Sequence, residues 1–502
     1  MMAFKAMDSF LRFVTMGAMA THHVWAMLEQ RGYQIIELER YAGSNKIWQT
    51  KVKRLRLPDL MCVRTGVRFE VRAKSNLKIE MSHAPGNVDR HWDAGLRDRD
   101  VVILVKAYDV EGDIQLGRHI NAFRVVSLRA CQDDERVGGP KASSEGSERT
   151  ITWPAWVPSA DGIVESVDRD SDGMIDRVRV HYDNGRSYTY SRMDGKHVYL
   201  GPGERFLGDE QFVLGVPDAM APLDADETPW SPLADLESDD PGDRLAAVKA
   251  YLRLDPTPVL DRLQGLLRDD QQDLRIRLEA AGVLARHGLD DGVTFLADHA
   301  LHPDGDAAWV MEAVFILSEL ADTPQAVDVL QRVLDKGHHA EARAAAAWGL
   351  GETPAGLPTL LEHIGDPDDN VAVHAVAAAS GIVRDAATTR AVCDCFTCGN
   401  RIAASASEIL ARAESADLPV LLEQASAGES ESTREWAFAS LARRKAAGVR
   451  GHPRWNELGE EFQRALEHAW FGPENSWLSD RDAASELNNL ELQRFSTHAA
   501  FR

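Results

Sequence analysis

The sequence predicts a multidomain α+β protein: a mixed α/β domain, then a small β-barrel-like domain, then an α-solenoid. Three observations predict it. The first quarter sets one long amphipathic stretch beside several short β-branched runs. Residues 150–216 alternate apolar and polar positions between turn signals. Past residue 241 the composition shifts to Ala and Leu, and the chain repeats with a period of about 32 residues. The boundaries read as 1–130 for the first domain, 131–149 for a linker and 150–216 for the β domain. A second linker covers 217–241, the solenoid 242–445 and a helical cap 446–502.

At 502 residues there is room for about three domains. A 44% hydrophobic and 27% charged composition is that of a globular protein. No apolar run approaches the roughly 20 residues that span a bilayer. The N-terminal stretch is broken by Asp8 and Arg12 and lacks a signal-peptide layout. Five cysteines in so long a chain make no disulfide framework and point to a reducing interior, so a cytoplasmic location is expected. The net charge of −23 is unevenly spread: residues 1–130 carry 21 Lys+Arg against 14 Asp+Glu, the remainder 35 against 65. A basic first quarter on an acidic chain is the footprint of polyanion binding, with the acidic part supplying solubility. A general acidic bias that spares one domain gives the same count.

Residues 6–31 read as a helix whose apolar stripe is Phe10, Phe13, Val14, Val24, Met27 and Leu28, stopped by Gly32. Residues 33–39 read as a strand. The densest basic run follows: Lys46, Trp48, Lys51, Lys53, Arg54 and Arg56. An edge strand guarded by lysines has this composition. A cationic ribbon with an aromatic, leading into a pair of carboxylates, fits phosphate tracking and nucleic-acid binding better.

Residues 58–74 form a hairpin: runs at 60–64 and 67–73 flank a turn at Thr65-Gly66. Alternation sends Glu70, Arg72 and Lys74 to one face, within reach of Asp59 at the start of the preceding strand. Two carboxylates and a cation are the minimum kit for holding Mg²⁺ against a phosphodiester. An ordinary polar-faced hairpin has the same pattern.

Pro58-Asp59 followed by Glu70-Val71-Arg72 resembles the PD-(D/E)xK nuclease family. The resemblance implies a restriction-endonuclease-like α/β fold and a metal-dependent endonuclease, a phosphodiester hydrolase with DNA the favoured substrate. By that resemblance Asp59 and Glu70 are ligands of Mg²⁺ (or Mn²⁺). Lys74, helped by Arg72, orients water or phosphate, and Glu29 is an additional helix acid. The departure is Arg72 at the family's lysine position: a guanidinium clamps phosphate but does not give up its proton. The family's element order also asks for a helix at 87–96 and a buried strand at 101–106. His22, His23, His83 and His91 show no ligand spacing.

In the β domain, strands are expected at 162–167, 174–182, 186–192 and 211–213, with Asp183-Asn184-Gly185 as a hairpin turn. Asp168, Asp170, Asp172, Gly173 and Asp176 open a calcium-loop pattern. Its twelfth position is Arg179 where a glutamate is needed, and its flanks read as strands, so an acidic hairpin turn fits better.

The repeats align on Leu252, Leu284, Leu317, Leu350, Ile382, Leu410 and Leu441. Small residues on the first helix of each pair let neighbours stack closely. These segments resemble HEAT repeats of the phycobilisome-lyase-like kind over about 243–445, which implies a scaffold with a protein partner. Cys393, Cys395 and Cys398 have metal-like spacing but lack a fourth ligand, and small core residues are the plainer reading. Three functions remain open. One is a Mg²⁺-dependent nuclease with an appended solenoid, as in restriction or phage defence. The others are an inactive nuclease-like nucleic-acid-binding module and a solenoid scaffold.

Overall fold

The computed structural model describes residues 7–40, 48, 50, 55–84, 86–110, 113–138, 149–191, 193, 195–223 and 229–471. Those residues form two compact units: 7–40 with 55–255, and 48 and 50 with 256–471.

The first unit opens with α1 (Met7–Gln30), closed by Gly32 at φ 89°. Five strands form its main sheet: β1 (Ile35–Glu37), β2 (Leu60–Cys62), β3 (Arg68–Lys74), β5 (Val101–Val110) and β6 (Asp113–Arg124). A separate strand, β4 (Ile79–His83), lies between β3 and β5 in sequence. The sheet order is β1-β2-β3-β5-β6, with β3 and β5 parallel and the other neighbours antiparallel. Alternation sorts its faces. Ile35, Leu60, Cys62, Phe69, Val71, Ile103 and Val105 form one core with Ala20, Val24 and Leu28 of α1. Val102, Leu104 and Phe123 face a second core.

Residues 87–96 are not the expected helix. They form a 3-10 turn at Val88–Arg90 and further turns in which the N–H groups of His91, Ala94 and Leu96 reach three residues back, while that of Trp92 donates to His83 Nδ1. Trp92 and Leu96 are both buried in the second core, a spacing that imitates a helix stripe. Gly95, at φ 79°, bends the chain where an added Cβ would strike the Arg56 carbonyl. β6 is not marked in the sequence by alternation, because Gly117, Arg118 and His119 interrupt it.

A short helix, α2 (Val125–Ala130), follows. The later strands are β7 (Arg149–Trp153), β8 (Ala155–Trp156), β9 (Gly162–Arg169), β10 (Ile175–Tyr182), β11 (Ser187–Ser191), β12 (His197–Val198), β13 (Arg205–Phe206) and β14 (Leu214–Gly215). β7 pairs with β4, and Ile151, Trp153 and Phe212 join the second core. The barrel does not close: β11-β10-β9-β13 and β12-β14-β8 are two open sheets around Val164, Val178, Val180 and Phe206. Two-residue strands are too short to carry a sheet round on itself. The expected hairpin turn is present, with Gly185 at φ 84° between β10 and β11.

Next come α3 (Pro232–Asp235) and α4 (Pro241–Ala250). The expected solenoid range begins at 242, yet α4 belongs to the first unit. Its Lys249, 2% exposed, donates to the Leu38 carbonyl at 3.1 Å, and its Asp243 pairs with buried Arg68.

The second unit is an α-solenoid. Its helices are α5 (Leu260–Arg268), α6 (Leu274–Arg286), α7 (Asp290–Ala300), α8 (Ala307–Glu319), α9 (Pro324–Lys336) and α10 (Ala340–Leu350). There follow α11 (Leu357–His363), α12 (Asp369–Ile382), α13 (Ala386–Asp394), α14 (Asn400–Arg412), α15 (Leu418–Ala427) and α16 (Glu431–Arg443). Each even-numbered helix packs against the next, α6 on α8 through to α14 on α16. Leu284, Leu317, Leu350, Ile382, Leu410 and Leu441 each fall near the end of one of them, all at most 1% exposed. Asp273, Asp306, Asp368, Asp385, Asp417 and Ser430 cap helix N-termini with their side chains. α17 (Ala446–Arg450) and α18 (Glu460–Phe471) finish the described chain, with the Trp470 indole donating to Leu441 O at 3.3 Å. No helix among the described residues is long and apolar enough to cross a membrane.

Candidate functional site

The first candidate site lies on one face of β3. Leu60 pairs with Phe69 and Met61 with Arg68, and the next step of that register sets Asp59 opposite Glu70. The ladder changes there. Asp59 Oδ2 accepts the Val71 N–H at 2.7 Å, so a side chain supplies the acceptor at the end of β2. Glu70 is 15% exposed, and its Oε1 lies 2.5 Å from Arg72 Nη2. Burial pushes the Glu70 carboxyl up to about 8; Arg72 opposes that shift, while the charges of Asp59 and Glu39 add to it. Lys74 Nζ donates to the Glu80 carbonyl at 2.7 Å, and burial lowers its pKa.

The structure thus brings Asp59, Glu70 and Arg72 together, with Lys74 on the same face of β3, the central strand of the sheet. Glu39 was missed. It comes near because Leu38 N–H donates to Asp59 O, a pairing of β1 with β2 that leaves no mark in the local sequence. Glu29 is engaged elsewhere: Oε1 accepts the Ile35 N–H at 3.1 Å and lies 2.5 Å from Arg253 Nη1. That ion pair holds the α1–β1 junction.

Among the described residues no group of three His, Cys, Asp or Glu is spaced to hold a metal ion. Asp59 and Glu70 nevertheless fit the protein share of a Mg²⁺ site, because Mg²⁺ keeps several waters and takes one or two carboxylates. The same observation covers the other two candidates. Asp168 lies at the end of β9 and Asp176 at the start of β10, and in the turn between the strands Asp170 Oδ1 accepts the N–H groups of Asp172 and Met174, each at 2.9 Å. Cys393 is buried, Cys395 half-buried and Cys398 exposed, and burial raises the first two thiols to about 12 and 11.

The basic run gives one correction. Trp48 is 4% exposed, and its ring centroid lies 5.2 Å from that of His374 and 5.7 Å from that of Phe315. The indole is packed into the solenoid unit and offers no open face to a base. An aromatic among lysines reads the same in sequence whether it stacks on a nucleobase or docks in a protein. Arg56 is exposed. Lys46, Lys51, Lys53 and Arg54 lie outside the described residues.

No family model matches the chain, and no curated protein matches it. Solved structures do. Human deoxyhypusine hydroxylase in complex with glycerol is 17% identical, over 43% of this chain and 96% of that one, with a TM-score of 0.20. The complex of CpcE and CpcF of phycocyanin lyase from Nostoc sp. PCC7120 is 17% identical, over 50% and 97%, with a TM-score of 0.24. A structure reported for TOG-tubulin binding specificity is 16% identical, over 45% and 87%, with a TM-score of 0.20.

Proposed function

We propose that this chain is a HEAT-like repeat scaffold whose solenoid docks a protein partner. The observation that carries the reading is the uninterrupted stacking of α6, α8, α10, α12, α14 and α16. Each pair touches only its neighbours, so the array has little interior beyond the stack and much lateral surface, the geometry that repeat proteins use for extended binding. The test is cross-linking of the tagged full chain at native abundance. A stoichiometric partner whose cross-links map to residues 256–471 supports the scaffold. Recovery of the chain alone, or cross-links confined to 1–255, overturns it.

A second reading is favoured by the register of Asp59 against Glu70: a metal-dependent phosphodiester hydrolase acting on nucleic acid, DNA favoured. Its support is the order of elements, a helix over three antiparallel strands and a further strand parallel to the third. Asp59 and Glu70 would hold Mg²⁺ or Mn²⁺, which supplies Lewis-acid stabilisation of a phosphoryl oxygen. Lys74 and Arg72, on the same face, bind and orient the phosphate. Arg72 faces a conflict, since the guanidinium that would grip phosphate lies against Glu70. The assay is cleavage of plasmid and single-stranded DNA with either metal, comparing wild type with Asp59→Ala and Glu70→Ala. Cleavage lost in both variants supports hydrolysis; equal cleavage by all three preparations rejects it. Salt-sensitive binding without cleavage leaves the inactive nucleic-acid-binding form of this reading.

A further inference from the structure

Three consecutive even-numbered helices of the solenoid converge on two residues from far earlier in the chain. Trp48 packs between Phe315 of α8 and His374 of α12, at 5.7 Å and 5.2 Å between ring centroids, with the imidazole stacked at 29°. Two residues on, Thr50 meets Glu341 of α10: its N–H donates to Oε2 at 2.9 Å, and its hydroxyl donates to the same oxygen. Phe315 is 1% exposed and His374 8%, so the floor of this socket is buried.

The His374 ring is fixed from behind, its Nδ1 2.7 Å from Asn370 O. Burial keeps it neutral, with a pKa lowered to about 4. A neutral, anchored imidazole presents a flat face that suits an indole. A large aromatic in a buried pocket is an anchor of the kind that dominates binding, and a backbone N–H and a hydroxyl on one carboxylate add a polar clamp beside it. Charge agrees with it. Residues 42–53 contain Lys46, Lys51 and Lys53 and no acid, whereas residues 256–445 carry 16 Lys+Arg against 30 Asp+Glu.

We infer that the α8–α10–α12 face is a peptide-binding site for a tryptophan-x-threonine segment with basic flanks, filled here in cis by Trp48 and Thr50 and open to a partner segment of the same chemistry. The inference rests on the scaffold reading and names the partner feature that the scaffold takes. Tethering keeps the cis segment at an effective concentration on the order of millimolar, so a free peptide competes poorly until that segment is weakened.

The test uses the full chain and a fluorescent peptide of residues 44–54. Trp48→Ala is expected to bind the peptide saturably, and wild type at least tenfold more weakly. Adding Glu341→Ala to Trp48→Ala weakens the peptide several-fold. A peptide with valine at the Thr50 position, which lacks the hydroxyl, loses less on that change. Thr50→Val, which keeps the indole, serves as a second loosened background if Trp48→Ala fails to fold by circular dichroism. Equal binding to wild type and a folded loosened variant, or binding to neither, overturns the inference. A chain that recovers a cross-linked partner on 256–471 yet ignores the peptide in the loosened variant overturns this inference alone. Peptide binding with no partner recovered overturns the scaffold reading alone.

Discussion

At neutral pH the Glu70 side chain, with its pKa pushed up to about 8, keeps its proton in most molecules. Its ordinary value is 4.5, so between these limits the native state holds a proton that the unfolded chain has released. Linkage then gives the sign: this contribution to stability is present below pH 4.5 and is lost as pH rises toward 8. Glu70→Gln, which imitates the protonated acid, is expected to melt with wild type at pH 5 and several degrees above it at pH 8. An equal melting difference at both values would show that Glu70 is not the titrating group. Millimolar Mg²⁺ adds a second arm. Metal and proton compete for the same oxygens, so under the hydrolase reading the ion stabilises wild type more at pH 8 than at pH 5 and leaves Glu70→Gln unmoved. The shared face of Glu70, Arg72 and Lys74 was legible because a strand has period two and needs no other element. Glu39 was not, because its place beside Asp59 depends on the β1–β2 register, which local sequence does not fix.

Elements decide how closely the solenoid stacks. Gly349 lies inside α10, where glycine costs about 1 kcal/mol relative to alanine on propensity alone. An added Cβ would sit 2.7 Å from the Ser318 Cβ on α8, closer than packed atoms approach. Gly282 of α6 meets Ile316 of α8 in the same way, with a Cβ 2.7 Å from Cγ2. Packing therefore outweighs propensity: Gly349→Ala should destabilise the chain by an overpacking cost of about 1–3 kcal/mol and so lower its melting temperature. Ser318→Gly in the same background should recover part of the loss, measured as a double-mutant cycle. A Gly349→Ala chain more stable than wild type would mean that the helices can move apart freely. The repeat period and its small-residue helices were legible because they recur and each copy reinforces the others. Residues 87–96 and β6 were not. The former place Trp92 and Leu96 with helix-like spacing on a run of turns, and the latter hides its pairing behind Gly117, Arg118 and His119.

Across the whole chain, the contrast between a basic first quarter and an acidic remainder makes a prediction that the folded site does not. If the run from Lys46 to Arg56 tracks phosphates, each contact releases condensed counterions, and log K falls with log salt by about 0.9 per contact on duplex DNA. Reversing Lys51, Lys53 and Arg54 together should then flatten that slope by about 3 and weaken binding on all sequences alike. The position of Trp48 sharpens the test. The ring is packed against Phe315 and His374, so Trp48→Ala removes no base stacking and should leave the salt slope unchanged. A slope that the triple reversal fails to move, measured by titration on a fixed duplex from low to physiological salt, removes the phosphate-tracking role from these residues. The basic flanks would then be read through their fit to the acidic repeats, and the chain through its scaffold. A flattened slope together with an indifferent Trp48→Ala would assign the lysines to phosphate and the tryptophan to protein, two uses that composition alone had merged.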